Sequence, residues 1–408
     1  MNISNKMEKI ISLTKKRGFV YPGAEIYGGL AGTWDYGPLG AELLYNIKEL
    51  WWKKFVSSRE DMYGIASSII MPEKVWSASG HLEHFADLLE NKKFNTMFKS
   101  RAGALGGETV DVYLRPELAQ GMFVNFKNIV DSYHPKIPFG IAQIGRCFRN
   151  EIAPRDFLFR VREFDLMEFE YFIREQDWEK YFEYWRKEMW DWIKEIGLDE
   201  KKIHELEVPK NELAHYSKRT IDFEYDFPFG RKELYGLAYR TDYDLKNHKL
   251  DYYDEETKKR FVPHVIEPTF GAGRTFLALL CEAYDEDELG GERRTVLRLN
   301  PKISPIKVAV FPLLANKPEL IKKARSIYEM LKLGNSKLEI GNLNVAWDDI
   351  GNIGKRYRRQ DEIGTPWCIT IDFETLENDT VTIRDRDTGK QERVEINEIT
   401  SYLKDKLK

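Results

Sequence analysis

Residues 139–172 read FGIAQIGRCFRNEIAPRDFLFRVREFDLMEFEYF, and this stretch decides the fold. Two apolar, β-rich runs, Gly140–Phe148 and Phe157–Phe172, flank a charged turn carrying Arg149, Asn150, Glu151, Pro154, Arg155 and Asp156. Runs this apolar around a polar turn predict an antiparallel hairpin in a buried sheet. Arg149, Arg160 and Arg162 supply planar donors suited to phosphate oxygens, Glu151 can accept from an amine, and Phe164 offers a flat face for a base. Arg–Glu pairs alone would fit a salt-bridged surface strand pair. With the aromatic beside them on rigid strands, they amount to a nucleotide clamp.

The chain around this hairpin has 408 residues, enough for a large core and a satellite domain. Apolar residues at 42% and charged residues at 32% describe a soluble globular chain without a run that could span a bilayer. Its start, MNISNKMEKIISLTKKRG, has a helical pattern but lacks a signal-peptide core. Cys147, Cys281 and Cys368 lie far apart in apolar segments, so neither a zinc site nor a disulfide framework is expected. The chain reads as cytoplasmic. A net charge of −4 argues against indiscriminate coating of nucleic acid and leaves local basic patches open.

Towards the N-terminus, residues 2–18 predict a short amphipathic helix, and a Gly-rich loop leads into a helix from Ala41 with Leu43, Leu44, Ile47, Leu50, Trp51 and Phe55 on one face. Ile65–Met71 reads as a strand and KVWSASGHLEHFADLL as a loop and helix, with His81 and His84 on its surface and nothing nearby to complete a metal site. A strand at Val110–Leu114 passes through Arg115-Pro116-Glu117 into another helix. Beyond the hairpin, Trp178, Tyr181, Phe182, Trp185, Met189, Trp192, Ile193 and Ile196 recur at helical spacing and predict core rather than a base-stacking surface. Residues 197–232 carry no readable chemistry. RKELYGLAYRTDYDLKNH reads as a strand ending in a turn with Arg240, Asp242 and Asp244. HVIEPTFGAGRTFLALLCEAYDED reads as a strand with Glu267, a turn with Gly271, Gly273 and Arg274, and a helix from Thr275 whose N-terminus favours an anion.

Charged, Gly- and Pro-containing residues 285–305 suggest a domain boundary. Strands and helices alternate beyond it: strand IKVAVF, helix Lys317–Leu333, strand Asn344–Trp347, helix Ile353–Ile363, strands Trp367–Phe373 and Thr380–Arg384, and helix Ile396–Leu407. This alternation implies a small doubly wound α/β domain.

Phe-Arg-Asn-Glu followed by Arg-x-x-x-Phe resembles motif 2 of the class II aminoacyl-tRNA synthetases. EIYGGLAGTWDYGPLG resembles motif 1 in its glycyl-tRNA synthetase form, Leu-Arg-Pro-Glu-x-Ala-Gln-Gly the amino-acid pocket, and the Gly271–Arg274 segment motif 3. GNIGKRYRRQDEIGTPWCITID resembles the class IIa anticodon-binding domain. The resemblance implies an α+β catalytic domain on an antiparallel sheet over 1–300, with motif 1 at about 34–71, motif 2 at 139–172 and motif 3 at 264–284. An α/β anticodon-binding domain then follows over 301–408. A Cys-containing insertion common after residue 89 is missing here.

The resemblance also implies an α2 homodimer that uses ATP, with Mg2+ and without zinc, to join glycine to tRNA(Gly), and no membrane partner. Arg149 and Arg274 would be catalytic. ATP would meet Arg149, Asn150, Glu151, Phe159, Arg160, Val161, Arg162, Glu163, Phe164, Glu233, Leu234, Gly271, Ala272, Gly273 and Arg274, with Glu233 on Mg2+. Glycine would meet Glu117, Phe164, Asp165, Leu166, Met167, Glu168, Arg240, Glu267, Pro268, Thr269, Phe270 and Gly271, with Thr269 where the family usually has Ser. Lys355, Arg356, Arg358 and Arg359 would form a tRNA patch, although a solvated helix face fits them equally. Two alternatives are a non-catalytic nucleic-acid-binding relative of this family and a class IIa synthetase for another amino acid.

Overall fold

The protein is described by a computed structural model over residues 3–89, 92–103, 107, 109–333 and 343–407. It forms two compact units, one of Pro22–Trp34 and Ile47–Ala278, the other of Met1–Tyr21, Asp35–Asn46 and Leu279–Lys408. The expected insertion point after residue 89 lies outside the described residues. No helix among those residues is long and apolar enough to cross a membrane.

The first unit is built on a seven-stranded sheet. Its spatial order is Ile203–Glu207, Arg219–Phe227, Gly230–Thr241, His264–Gly271, Glu163–Ile173, Phe139–Phe148 and Met62–Gly64. Every neighbour pairs antiparallel except the last, which is parallel. Period-two alternation along Glu163–Ile173 sorts its side chains between two faces. On one face Phe169 and Tyr171 meet Trp185 of the helix Trp178–Ile196 at 4.5 and 5.0 Å, and Phe55 lies 5.3 Å from Phe270. The aromatic stripe is therefore core, as expected. On the other face Leu166 and Phe172 pack with Leu118, Met122, Phe123 and Phe126. Each such fully buried side chain contributes about 1.5–3 kcal/mol.

The hairpin differs from the sequence expectation at one end. Its second strand begins at Glu163, not Phe157, because Asp156 and Phe157 both adopt positive φ, 60° and 58°, which extended backbone cannot continue through. The ring of Phe157 instead packs edge-on against Trp34 at 4.7 Å. The single strand expected over Ile65–Met71 is two short ones, Met62–Gly64 and Ile70–Pro72, because the chain leaves one sheet there and joins another, beside Val110–Leu114. Residues 197–232, unreadable beforehand, supply two strands of the main sheet. The helix expected from Thr275 starts at Ala272, so Gly273 and Arg274 form its first turn, where the Thr275 hydroxyl donates to the Gly271 carbonyl at 2.8 Å.

In the second unit, residues 285–305 are no loose linker. Tyr284–Leu289 and Glu292–Leu297 pair as a hairpin through Gly290 and Gly291, at φ 64° and 81°. Its charges are spent on pairing: Arg294 reaches Asp287 at 2.6 Å and the buried Asp361 at 2.9 Å, and Arg298 reaches Asp285 at 3.0 Å. Beyond it lies a mixed sheet ordered Val345–Trp347, Val308–Pro312, Trp367–Ile371, Thr380–Asp385 and Gln391–Glu395, the first three strands parallel. Helices Pro318–Leu333, Ile353–Ile363 and Ile399–Leu407 accompany it. The short helix Phe373–Asn378 and the strand Gln391–Glu395 were not foreseen.

One core position is costly. Glu170, fully buried on the strand Glu163–Ile173, finds no partner for either carboxylate oxygen among the described residues. Burial, reinforced by Glu267, pushes its carboxyl well above the usual range. Its preference for the proton stabilises the fold below the unfolded value of about 4.3 and is lost as pH rises through the raised folded value. Glu170→Gln is therefore expected to raise stability at pH 8, by about 1–3 kcal/mol for relief of a buried unmatched group, and progressively less towards pH 4.3. Denaturant melts across that range check it; a gain that grows with acid contradicts it.

Candidate active site

A cavity of about 350 Å3 opens on the sheet face opposite the aromatic helix. Small side chains make the room: Gly236 and Ala238 stand on its floor, and a Cβ added at Gly236 would meet nothing within 4 Å. Two chemically distinct groups of residues line it.

The first group is acidic. Glu117, Glu168 and Glu267 line the cavity with Thr269 and are nearly inaccessible themselves. Glu168 accepts from the Thr269 hydroxyl at 2.8 Å and from the Leu118 N–H at 3.1 Å. Burial and the Glu117 carboxylate push Glu168 up to about 7. Glu267 rises well above its ordinary value through burial, against the pull of Arg240. Burial would raise Glu117 as well, but His81, Arg240 and Gln120 overcome it and hold that carboxyl well below the usual range.

Arg240 lies beneath these acids with no exposure. Its Nε and Nη2 donate to Asp244 at 2.9 and 3.0 Å, its Nη1 donates to Glu267 at 2.7 Å, and its guanidinium lies 3.7 Å from the Tyr216 ring centre. The guanidinium of Arg240, expected to meet glycine, thus turns its two-pronged fork onto Asp244. The register of its strand shifts by one residue between Tyr239 and Thr241, and Thr241 has φ 61°, a bulge of the kind that re-aims side chains beside sites.

The second group is the clamp. Arg149 donates through Nε to the Pro116 carbonyl at 3.1 Å, with its guanidinium 5.2 Å from the rings of both Phe85 and Phe164. Glu151 accepts from Arg160 at 2.6 Å. Arg274 pairs with the exposed Glu233 at 2.9 Å and covers Phe159 at 4.5 Å. Arg274 holds the Glu233 carboxyl below its ordinary range. Asp222 beside them is pushed up to about 7 by burial and by Glu233 and Glu224. A hard cation would relieve that crowding, and carboxylates suit one. A second acidic group, Glu168, Glu170 and Glu267, has oxygens within 4.8 Å of one another, and there the Arg240 guanidinium already supplies positive charge.

Of the residues expected for ATP and glycine, the cavity is lined by Glu117, Arg149, Glu151, Phe159, Arg160, Val161, Phe164, Asp165, Leu166, Glu168, Glu233, Leu234, Glu267, Thr269, Gly271, Gly273 and Arg274. The others do not line it, each for a local reason. Asn150 is tied back by its N–H to the Thr96 carbonyl at 2.7 Å, and Arg162 donates to the carbonyls of Ala31 and Glu151. Glu163 pairs with Arg146 at 3.4 Å. Alternation sends Met167, Pro268 and Phe270 to the face of the aromatic helix. Ala272 is fully buried at a helix start.

Two walls and one supporting side chain were missed. Val208, Glu212, Ala214, Tyr216, Thr220 and Asp222 line the cavity from the stretch without readable motifs. The alternation in RTIDFEYDF was the available signal for a strand there. Leu158 lines it from the hairpin turn. His81, expected on a helix surface, is 2% exposed and places Nε2 3.1 Å from Glu117 Oε2. The chain turns inward there because Gly80 adopts φ 77°.

The expected tRNA patch is corrected in the same way. Arg356 is buried, donating to the carbonyls of Pro312, Asp349 and Gly351, because its helix turns that side chain into the unit. Arg359 forks onto Asp348 at 2.8 Å through two nitrogens, and Arg358 is bound to Glu292 and to the Arg293 carbonyl. Of the four, Lys355 alone is classed as exposed.

Residues 107–284 match the class II tRNA synthetase core domain (G, H, P, S and T), and residues 307–406 match the anticodon-binding domain family. Glycine–tRNA ligases of Clostridium kluyveri and of Caldanaerobacter subterraneus are each 44% identical to this chain, over all of both sequences. That of Streptomyces coelicolor is 44% identical over 99% of each. The alignment with the first runs over 472 positions against 408 residues here, so that relative carries sequence this chain lacks. By full-length identity and by both domains, the chain belongs to the glycine–tRNA ligase family of class II aminoacyl-tRNA synthetases.

Proposed function

We propose that this chain activates glycine with ATP to glycyl-adenylate and transfers the glycyl group to the 3′ end of tRNA(Gly). The observation that carries the reading is a single cavity joining an acid-lined pocket to an arginine clamp. A non-catalytic nucleic-acid-binding role leaves that pairing without a purpose. A larger amino acid has no place in a pocket whose depth is filled by Glu168 and Thr269, bonded to each other at 2.8 Å.

In the first step a glycine carboxylate oxygen attacks the α-phosphorus and pyrophosphate leaves with the bonding pair. The nucleophile is already ionised, so no base is required. What remains is positioning and stabilisation of charge moving onto the leaving group. Glu117, Glu168 and Glu267 receive the ammonium, and the two N–H donors of Arg240 not engaged by Asp244 and Glu267 serve the carboxylate. Arg149 meets the α-phosphate and Phe164 stacks on adenine, whose amine exchanges for Arg160 on Glu151. Arg160 and Arg274 then hold the outer phosphates. Glu233 and Asp222, crowded enough that Asp222 is pushed up to about 7, would hold Mg2+, which would supply neutralisation of charge on pyrophosphate.

Residues 1–300 are read as the catalytic domain and 301–408 as the domain that meets the anticodon, in a cytoplasmic α2 homodimer. Exposed Ile26, Tyr27 and Leu30 in the motif 1 loop give that dimer an apolar patch to bury.

Arg149→Ala and Arg274→Ala are each expected to fold and to lose about a hundredfold or more in ATP–pyrophosphate exchange, the scale for one charge-stabilising donor; near-normal exchange in folded R149A removes the clamp assignment. Glycine binding is expected to release up to about half a proton at pH 7, because an ammonium beside Glu168 draws its carboxyl down from about 7. Affinity should accordingly rise from pH 6 to 8. Calorimetry in two buffers of different ionisation enthalpy reads the proton directly, and equal heats refute it. Sedimentation at micromolar concentration is expected to give the dimer mass; a fully active monomer contradicts the assembly.

A further inference from the structure

His81 is a buried imidazole that none of the steps above uses. Both ring nitrogens have partners: Nδ1 lies 2.8 Å from Ser79 Oγ and Nε2 lies 3.1 Å from Glu117 Oε2. Trp76 and Phe85 enclose the ring at 5.4 and 5.5 Å between centres, and His215 stands edge-on at 6.3 Å. His215 is itself fixed by a contact from Nε2 to the Ser79 carbonyl at 3.1 Å.

The hydrogen positions follow from what each partner can do. An ionised carboxylate only accepts, so the nitrogen facing Glu117 must carry a proton. The Ser79 hydroxyl has one hydrogen, directed either to the Trp76 carbonyl at 3.3 Å or to Nδ1. In the first case His81 donates from both nitrogens, and in the second from Nε2 alone. Either way Nε2–H points at Glu117. The second oxygen of Glu117 is approached by Gln120 Nε2 at 3.3 Å, which also donates to Asp244 at 2.8 Å, while His248 meets Gln120 Oε1 at 2.8 Å. Glu117 is thus held from behind at both oxygens, with the remaining lone pairs available to the cavity.

We propose that His81 is a positioning residue for amino-acid recognition: its Nε2–H orients the Glu117 carboxylate for the substrate ammonium. The inference rests on the reading of Glu117 as an ammonium site. His81 touches neither substrate nor reacting atoms, so its loss should appear in amino-acid binding and not in nucleotide binding. A charged acceptor held in one orientation by a charge-assisted hydrogen bond loses about tenfold in affinity when that bond is removed.

Two conservative variants separate the ring nitrogens. The amide nitrogen of Gln falls near the place of Nε2, and that of Asn near Nδ1. In ATP–pyrophosphate exchange by the full chain, H81N is expected to raise the glycine KM at least tenfold with the ATP KM within twofold. H81Q is expected to stay within about threefold of wild type for both. Equal glycine KM values for H81N and H81Q, or an ATP KM that rises in parallel, overturn the proposal, because an orienting Nε2–H requires the amide placed at Nε2 to do better than the one placed at Nδ1. If H81N fails to fold, H81A takes its place, and if H81Q fails, E117Q combined with H81N decides: non-additive effects on glycine KM support coupling through Glu117, and additive ones overturn it. E117Q alone tests the underlying reading. An unchanged glycine KM in E117Q removes the ammonium site, and the role of His81 with it.

Discussion

Five carboxylates, Glu117, Glu168, Glu170, Glu267 and Asp244, are packed around one buried guanidinium, that of Arg240. Burying so many acids is tolerable only if each is paired, hydrogen-bonded or protonated. Arg240 takes Asp244 and Glu267, His81 takes Glu117, Thr269 and the Leu118 N–H take Glu168, and Glu170 is left to its proton. The arrangement is therefore incomplete in charge. In the proposed reading the substrate ammonium completes it, which would tie the composition of the core to the choice of substrate.

The same arrangement explains how a substrate without a side chain can be selected. Glycine offers nothing to grip, so discrimination comes from refusing a larger neighbour at the α-carbon. In the proposed reading Thr269, whose hydroxyl donates to Glu168 at 2.8 Å, is the wall that closes the space next to the α-carbon. A loosely held wall would yield; one locked by a buried hydrogen bond does not. Gly236 and Ala238 keep the rest of the floor open.

Much of this was legible in the sequence. FRNE, LRPE, the Arg240 turn and the Gly271–Arg274 segment were legible through their resemblance to class II synthetase motifs, and the cavity gathers most of their residues. Strand alternation was not applied finely enough, so Met167, Pro268 and Phe270 were placed in the pocket when period two turns them away from it. What the sequence hid depends on tertiary contact. Val208–Asp222 walls the cavity without any motif, Phe157 leaves the strand through positive φ, and the basic helix Ile353–Ile363 spends three arginines on its own unit. His81 was hidden by a single glycine turn that carries a polar-looking segment into the core.

The central claim is that a rigid, acid-rich pocket accepts an ammonium and excludes any side chain. ATP–pyrophosphate exchange with glycine and with alanine, each taken to saturation, tests it most directly. The account predicts a kcat/KM for alanine lower by about a hundredfold or more, the range open to steric refusal of one methyl by a site that cannot relax. Activation of alanine within tenfold of glycine would contradict it.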